Sequence, residues 1–325
     1  MSESPEFSLI QRYFNSFLVE RDDVIVGVGD DCAVLQTPAN KQLAISIDTL
    51  VQGVHFFADV DPYHLGVKAL AVNLSDLAAM GAEPAWFTLA LSLPEIQHEW
   101  LQAFSAGLAD MAKQHQIALV GGDTTRGPLT ITIQVHGHVA DGIFLRRNAA
   151  KAGDLICVTG FLGDAAAGLQ HKLGQLDETV LSAADLQYFI QRLEMPTPRN
   201  HIGQQLVGKV HAAIDISDGL LADLKHILNA SNKGACISLP ALPLSDSLRK
   251  LPLPLANQLA LTGGDDYELC FTASAENVDA LSQQFPGMIR VIGEISAEKG
   301  IYYQDAQGNR QQFSDIKAGY DHFSS

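Results

Sequence analysis

The sequence predicts an α/β protein of two domains, on three observations. With 325 residues, 47% of them hydrophobic and 18% charged, the chain has the length for two full cores and an ordinary globular composition. Strand-like and helix-like apolar patterns alternate along it. Around Lys151-Ala152-Gly153-Asp154 the pattern restarts with a fresh strand, Leu155 to Thr159, which places a boundary near residues 145 to 152 and domains at 1–148 and 149–325.

The elements follow in order. Phe7, Ile10, Phe14 and Phe17 have helical spacing and predict a short amphipathic opening helix. Val26 to Leu35 reads as a glycine-loosened turn carrying adjacent carboxylates, Asp30 and Asp31; it lacks the third glycine and the helix of a dinucleotide fingerprint. Leu43 to Asp48 is a strand ending on a carboxylate, and Thr49 to Phe57 continues it past His55; a lone histidine is more often structural than functional. Leu65, Ala69, Val72, Leu77 and Met80 space a helix on which Asn73 and Asp76 share one face. A buried Asp76 there needs a base, a metal or a shifted pKa; the alternative is a solvated carboxylate near a helix end. Trp86 to Leu93 is an apolar strand, Ile96 to Ala112 an amphipathic helix, and Ile117 to Val120 a short buried strand. That strand runs into a glycine-rich segment, Gly121 to Gly127. Its paired glycines let backbone approach a phosphate, Asp123 can hold a cation and Arg126 can pair with phosphate oxygens. Leu129 to Val139 alternates as a strand, which makes His136 and His138 strand residues rather than ligands.

Arg146-Arg147 is a rare basic pair, either a solvated linker or a clamp on a nucleotide phosphate. After Leu155 to Thr159 come helices over Asp164 to Leu173, Ala183 to Leu193 and Arg199 to Val207. Ala212 to Leu220 reads as a strand end feeding a helix, with Asp215, Ser217 and Asp218 at a helix N-terminus whose free N–H groups favour anions and their metal partners. An N-cap role explains Asp218 but not Asp215. Leu242 to Pro254 is a proline-punctuated loop. Leu261 to Leu269 repeats the pattern of glycines followed by carboxylates, Asp265 and Asp266, before a strand to Thr272. A helix over Ala275 to Phe285, strands near Ile289 to Ile292 and Ile301 to Tyr303, and an aromatic, polar end at Lys317 to Phe323 complete the chain.

A net charge of −16 argues against nucleic acid and anionic membranes as partners, since both recruit basic surface. The first residues do not read as a signal peptide, and no run reaches the ~18 apolar residues of a membrane span. Cys32, Cys157, Cys236 and Cys270 lie far apart without zinc or disulfide spacing, which fits a reducing cytoplasm.

The carboxylates at glycine-rich turns or strand ends are Asp30, Asp31, Asp48, Asp76, Asp123, Asp215, Asp218, Asp265 and Asp266. Two unit charges 4 Å apart repel by ~4 kcal/mol at an effective dielectric of 20, so five or six converging would require cations. Oxygen-only ligands favour Mg²⁺, which joins carboxylates to substrate phosphates. No GxxxxGK[ST] and no protein-kinase HRD or DFG set occurs. The residues alone therefore reach Mg²⁺-dependent phosphate chemistry on a metal–carboxylate cradle.

Seven motifs in order carry a closer resemblance. They are Gly29-Asp30-Asp31-Cys32-Ala33, Ser46-Ile47-Asp48-Thr49, Gly53-Val54-His55-Phe56, Asn73 to Gly81, Gly121-Gly122-Asp123-Thr124-Thr125, Asp215-Ile216-Ser217-Asp218-Gly219 and Gly263 to Leu269. From near residue 6 to Phe323 the chain resembles the thiamine-monophosphate kinase family of the aminoimidazole-ribonucleotide-synthetase-like ATP-binding superfamily. The resemblance implies an N-terminal mixed-sheet domain that forms a dimer barrel, a C-terminal α/β domain completing the substrate site, and a homodimer. It implies transfer of the ATP γ-phosphoryl group to thiamine monophosphate with several Mg²⁺ ions. Asp31, Ser46, Ile47 through its backbone oxygen, Asp48, Asp76, Asp123, Asp215 and Asp218 would hold Mg²⁺. Gly122, Asp123, Arg147 and Ser217 would contact ATP, and His55, Asp265 and Tyr320 the thiamine phosphate. Asp76, Asp123 and Asp215 would be the catalytic centre, with Asp76 as the central bridge and Asn73 supporting it.

Two positions depart from the family pattern, which usually has Thr at 47 and Glu at 265. Ile47 removes a hydroxyl, harmless if the carbonyl coordinates; Asp265 is one methylene short, so its contact passes through water or shifts to Asp266. Within the superfamily a selenophosphate-synthetase-like enzyme would use a reactive cysteine near the N-terminus and a hydrogenase-maturation-like enzyme a C-terminal one. Here Cys32 sits inside an apolar stretch and the last cysteine is Cys270. A protein that binds Mg²⁺-nucleotide without consuming it is the reading from a different class.

Overall fold

The computed structural model describes residues 12–14 and 19–313. The expected opening helix and the closing Lys317 to Phe323, Tyr320 included, therefore lie outside the described residues for the most part. The chain divides into two compact units, Met1–Ala78 with Ala82–Ile143, and Ala79–Gly81 with Phe144–Ser325.

In the first unit, β1 (Val24–Val26) and β2 (Val34–Leu35) pair as a small ribbon. β3 (Lys41–Val51), α1 (Pro62–Ala79), β4 (Glu83–Leu93), α2 (His98–Gln114), β5 (Ala118–Arg126) and β6 (Thr130–Ala140) follow. The sheet runs β3-β6-β4-β5, antiparallel except for the parallel β4–β5 pair. Along β3 exposure alternates with period two, so Leu43, Ile45 and Ile47 emerge on one face and Ala44, Ser46, Asp48 and Leu50 on the other. The register aligns Ser46, Asp48 and Leu50 with buried Val135, Ile133 and Ile131. α1 covers that face, with Leu77 against Gly137. α2 packs on α1 at backbone distance: a Cβ on Gly66 would lie 2.1 Å from the Phe104 carbonyl oxygen, and one on Gly107 2.0 Å from that of Tyr63. Only glycine at both crossing points allows that approach. On the opposite face Trp86, Ala118 and Val120 pack with Val24, Ala33 and Leu35. The Trp86 indole N–H donates to Asp23 at 2.9 Å, and His138 sits edge-on to Trp86 with ring centroids 4.9 Å apart, a strand residue as its sequence pattern predicts.

One difference from the sequence reading bears on function. Gly121 to Arg126 is not a loop after a short strand but the second half of β5. Gly122 permits it, because a Cβ there would lie 1.9 Å from the Leu89 carbonyl oxygen of the neighbouring strand.

The second unit has β7 (Leu155–Thr159), α3 (Asp164–Lys172), α4 (Ala183–Glu194), α5 (Asn200–Leu206), β8 (Ala212–Asp215), α6 (Leu220–Ser231), β9 (Gly234–Ser238), α7 (Leu253–Thr262), β10 (Leu269–Ala273), α8 (Ala275–Gln284), β11 (Ile289–Ser296), β12 (Gly300–Gln304) and β13 (Arg310–Gln312). Its sheet order is β13-β12-β9-β11-β7-β10-β8, with β9–β12 the parallel pair. Phe189, Ile214, Leu224, Ile237 and Cys270 lie in one apolar core. α7 begins inside the stretch expected to be a loop: Pro254 falls in its first turn, where the missing N–H has no partner to lose. No described helix is long and apolar enough to cross a membrane.

The second unit also buries charge. Glu268 is fully buried, and its carboxylate accepts from Thr159 Oγ1 at 2.6 Å, Arg192 at 3.1 Å and Arg199 at 2.6 and 2.5 Å. Removing one member of such a set strands the others in low dielectric. Glu268→Gln is therefore expected to lower the unfolding free energy by about 3–5 kcal/mol, read from urea denaturation, by leaving two guanidinium groups without their anion.

Candidate active site

In the first unit the site is built by β3 and α1. Ser46 and Asp48, two apart on an alternating strand, face the helix, and the Ser46 hydroxyl donates to the Asp76 carboxylate. Asn73, one helical turn before Asp76 and 1% exposed, accepts the Asp48 backbone N–H at 3.1 Å and donates to the Ala69 carbonyl at 3.1 Å. The amide thus holds the backbone of Asp48, and the Ser46 hydroxyl bonds to Asp76. Burial, and then the neighbouring charge of Asp76, push the Asp48 carboxyl up to about 6.

The other residues expected in this unit stand apart from that pair. Ile47 is 56% exposed on the opposite face of β3. Asp31 and Cys32 are exposed in the turn between β1 and β2, so Cys32 is not enclosed by the apolar residues around it in sequence. The Asp31 N–H donates to Asp30 at 2.9 Å. Gly122 lies on β5, at the far edge of the sheet, in one cross-strand row with Leu89, Ile133 and Asp48; Asp123 falls in the next row with Ala90, Thr132 and Thr49. Three strand spacings separate β3 from β5, roughly 14 Å. The register also sends the Asp48 and Asp123 side chains to opposite faces. His55 is half-buried, and its Nδ1 accepts the Val51 N–H at 3.0 Å, which places the proton of the neutral ring on Nε2.

In the second unit the expected residues come together on two loops. Asp215, 5% exposed, ends β8, and residues 216–219 lead into α6. This loop is zipped to 264–268: Asp265 N–H donates to Ser217 O, Tyr267 N–H to Ile216 O and Ile216 N–H to Glu268 O, each at 2.8 Å. The pairing forces positive φ on Asp265 (66°) and Tyr267 (50°) and admits only glycine at 264, whose Cβ would lie 2.5 Å from Ser217 O. Asp266 is 1% exposed and accepts the Gly163 N–H at 2.9 Å. It is an internal strut, so the substrate contact expected of Asp265 does not pass to it. Arg147 is exposed on a strap held against β8 by the Ala213 N–H donating to Arg146 O at 2.9 Å, and its carbonyl accepts from Ser231 Oγ at 3.1 Å.

The residue missed by sequence reasoning is Asp223. The α6 N-cap is Gly219, with no side-chain cap, so the capping role expected for Asp218 is not observed. Instead Asp223 Oδ2 accepts the backbone N–H groups of Ser217, Asp218 and Gly219, each at 3.1 Å. The N–H groups expected to be open at this helix head are satisfied from within. Burial and then the charge of Asp218 raise the Asp223 carboxyl to about 7, against the pull of its N–H donors. An acid in a first helical turn resembles any dipole-complementing carboxylate, so the sequence carries no separate signal for this one. Among the described residues no three His, Cys, Asp or Glu side chains come close enough together to hold a metal ion.

The Asp48 carboxyl binds its proton more tightly folded (about 6) than unfolded (~3.9), so its contribution to stability is full below pH ~4 and is lost as pH rises through about 6. In EDTA-treated protein, Asp48→Asn is expected to gain about 1–2 kcal/mol over the unsubstituted chain at pH 7.5 and nothing at pH 4, measured by chemical denaturation at both values.

Comparison with known proteins places the chain. Models for the AIR synthase related protein N-terminal and C-terminal domains match residues 29–139 and 151–305. The thiamine-monophosphate kinase of Salmonella typhimurium is 49% identical over 98% of each chain. The crystal structure of thiamine-monophosphate kinase from Stenotrophomonas maltophilia superposes with a TM-score of 0.85 at 48% identity, covering 92% of this chain and 96% of that one. AaThiL complexed with AMPPCP and TMP superposes at 0.75 with 30% identity, covering 98% and 96%. The chain belongs to the thiamine-monophosphate kinase family of AIR synthase related proteins.

Proposed function

We propose that the protein transfers the γ-phosphoryl group of ATP to the phosphate of thiamine monophosphate, giving thiamine diphosphate and ADP. The observation that carries the reading is similarity over 98% of the chain to proteins named for that activity. A 30%-identical relative solved with AMPPCP and TMP supports a ternary arrangement of nucleotide and acceptor.

The donor set favours Mg²⁺ as the cation. Ser46, Asp48 and Asp76 offer oxygen only, and a buried Asp48 carboxyl destabilised by Asp76 matches a hard divalent ion better than a thiophilic one. Several ions are proposed: Asp48, Asp76 and Ser46 would hold one, and Asp31, the Ile47 carbonyl, Asp123 and, in the second unit, Asp215 and Asp218 are assigned as ligands of the others. Bound there, Mg²⁺ supplies charge neutralisation for phosphate oxygens. The acceptor is already a phosphate oxygen of low pKa, so the chain needs no strong general base and its task is alignment. Gly122, Asp123, Arg147 and Ser217 are assigned to ATP, with Arg147 exposed as a phosphate partner. His55, Asp265 and Tyr320 are assigned to thiamine monophosphate; His55 presents Nε2–H as a donor, and Asp265 sits in the loop paired with Ser217.

A homodimer formed by the first unit fits the exposed apolar stripe of Leu43, Ile45 and Ile47 on edge strand β3, which a second copy would cover. The free thiols Cys32, Cys157, Cys236 and Cys270 fit a reducing cytoplasm.

Incubation with ATP, Mg²⁺ and thiamine monophosphate should yield thiamine diphosphate, detected by fluorescence after oxidation; ADP without that product overturns the reading. Asp76→Ala should stay folded by circular dichroism yet lose more than the ~100-fold that removal of a supporting residue costs a metal site. Ile45→Glu should sediment as a monomer while its far-ultraviolet spectrum stays unchanged, because the side chain is 55% exposed within one protomer.

A further inference from the structure

Three successive backbone N–H groups at the head of a helix form a concavity that ordinarily binds phosphate. Here that concavity is filled. Asp223, 3% exposed, places a single oxygen 3.1 Å from the N–H groups of Ser217, Asp218 and Gly219. Its own N–H continues the helix by donating to Gly219 O at 3.0 Å. The other side of the loop is fixed too, with Ser217 O taken by Asp265 N–H and Ile216 O by Tyr267 N–H. Gly219, at φ 117°, completes the geometry: a Cβ there would lie 2.8 Å from Thr262 O. The backbone from Ile216 to Gly219 is therefore held on both sides by partners within the unit.

Two electrical consequences follow. The positive end of α6 is spent on an internal carboxylate, so the loop cannot act as a direct phosphate cradle. With Asp215 and Asp218 added, the loop carries three carboxylates within nine residues, Asp215 to Asp223, and draws cations.

We propose that Asp223 is a positioning residue that occupies the place of a phosphate at the head of α6, so that Asp218 meets the nucleotide through a divalent cation and Ser217 through its side chain, instead of through backbone N–H groups. This rests on the kinase reading for its substrate, but the occupied concavity is testable without turnover.

The first measurement titrates inorganic phosphate into metal-free protein at pH 8 and follows the backbone amide resonances of residues 217, 218 and 219. Unmoved resonances are expected; a saturable shift in all three overturns the proposal. The second compares Asp223→Asn with the unsubstituted enzyme, both checked for a native circular dichroism spectrum. Asparagine keeps an acceptor for the N–H groups but removes the charge. Half-saturating Mg²⁺ should rise about tenfold, the usual scale for a supporting residue of a metal site, while KM for thiamine monophosphate stays within about twofold. An unchanged Mg²⁺ requirement in a folded Asp223→Asn overturns the proposal, and should that variant not fold the amide titration decides alone. If the unsubstituted enzyme makes no thiamine diphosphate and the three amides still ignore phosphate, the kinase reading falls and the role of Asp223 stands.

Discussion

Repulsion between like charges is the constraint under which this chain is organised. It carries 37 acidic residues against 21 basic ones, and it gathers carboxylates at strand ends and helix heads, where burial amplifies their mutual repulsion. Each grouping has a local answer. Across β3 and α1, a serine hydroxyl bonds to Asp76, while burial, and after it the charge of Asp76, raises the Asp48 carboxyl. At the head of α6, backbone N–H groups absorb Asp223. Beneath the 264–268 loop, two arginines neutralise Glu268. The same acidity that would destabilise an empty cradle would serve the cation-bridged phosphate proposed for it, so unliganded stability and ligand affinity would pull in opposite directions.

Much of the framework was legible because period and length are local properties. The helix bearing Asn73 and Asp76, the strands at Trp86 to Leu93 and Leu269 to Thr272, and the helices near 164–173 and 183–193 all follow from apolar spacing. Where backbone proximity decides, the pattern was silent. Paired glycines at 121 and 122 suggest a turn, yet the strand continues because a neighbouring carbonyl needs the space a side chain would take. Pro252 and Pro254 suggest a loop, yet one of them opens a helix.

The site was legible by residue type and less so by partnership. Ser46, Asp48 and Asp76 come together as their strand and helix positions imply, whereas Asn73 turns to a backbone N–H that no side-chain pattern reveals. Asp265 and Asp266 are neighbours with the same chemistry in sequence; a positive φ at one and complete burial of the other give them separate work. That distinction depends on pairing with a loop some fifty residues away, a non-local contact invisible to any window of sequence.

The glycine crossing of α1 and α2 bears on where the first unit holds Asp76. With Gly66 and Gly107 each against a carbonyl of the other helix, α1 and α2 meet at backbone distance, and a side chain at either crossing would shift α1, with Asp76 on it, relative to β3. The placement of the carboxylate thus depends on two positions that carry no side chain at all.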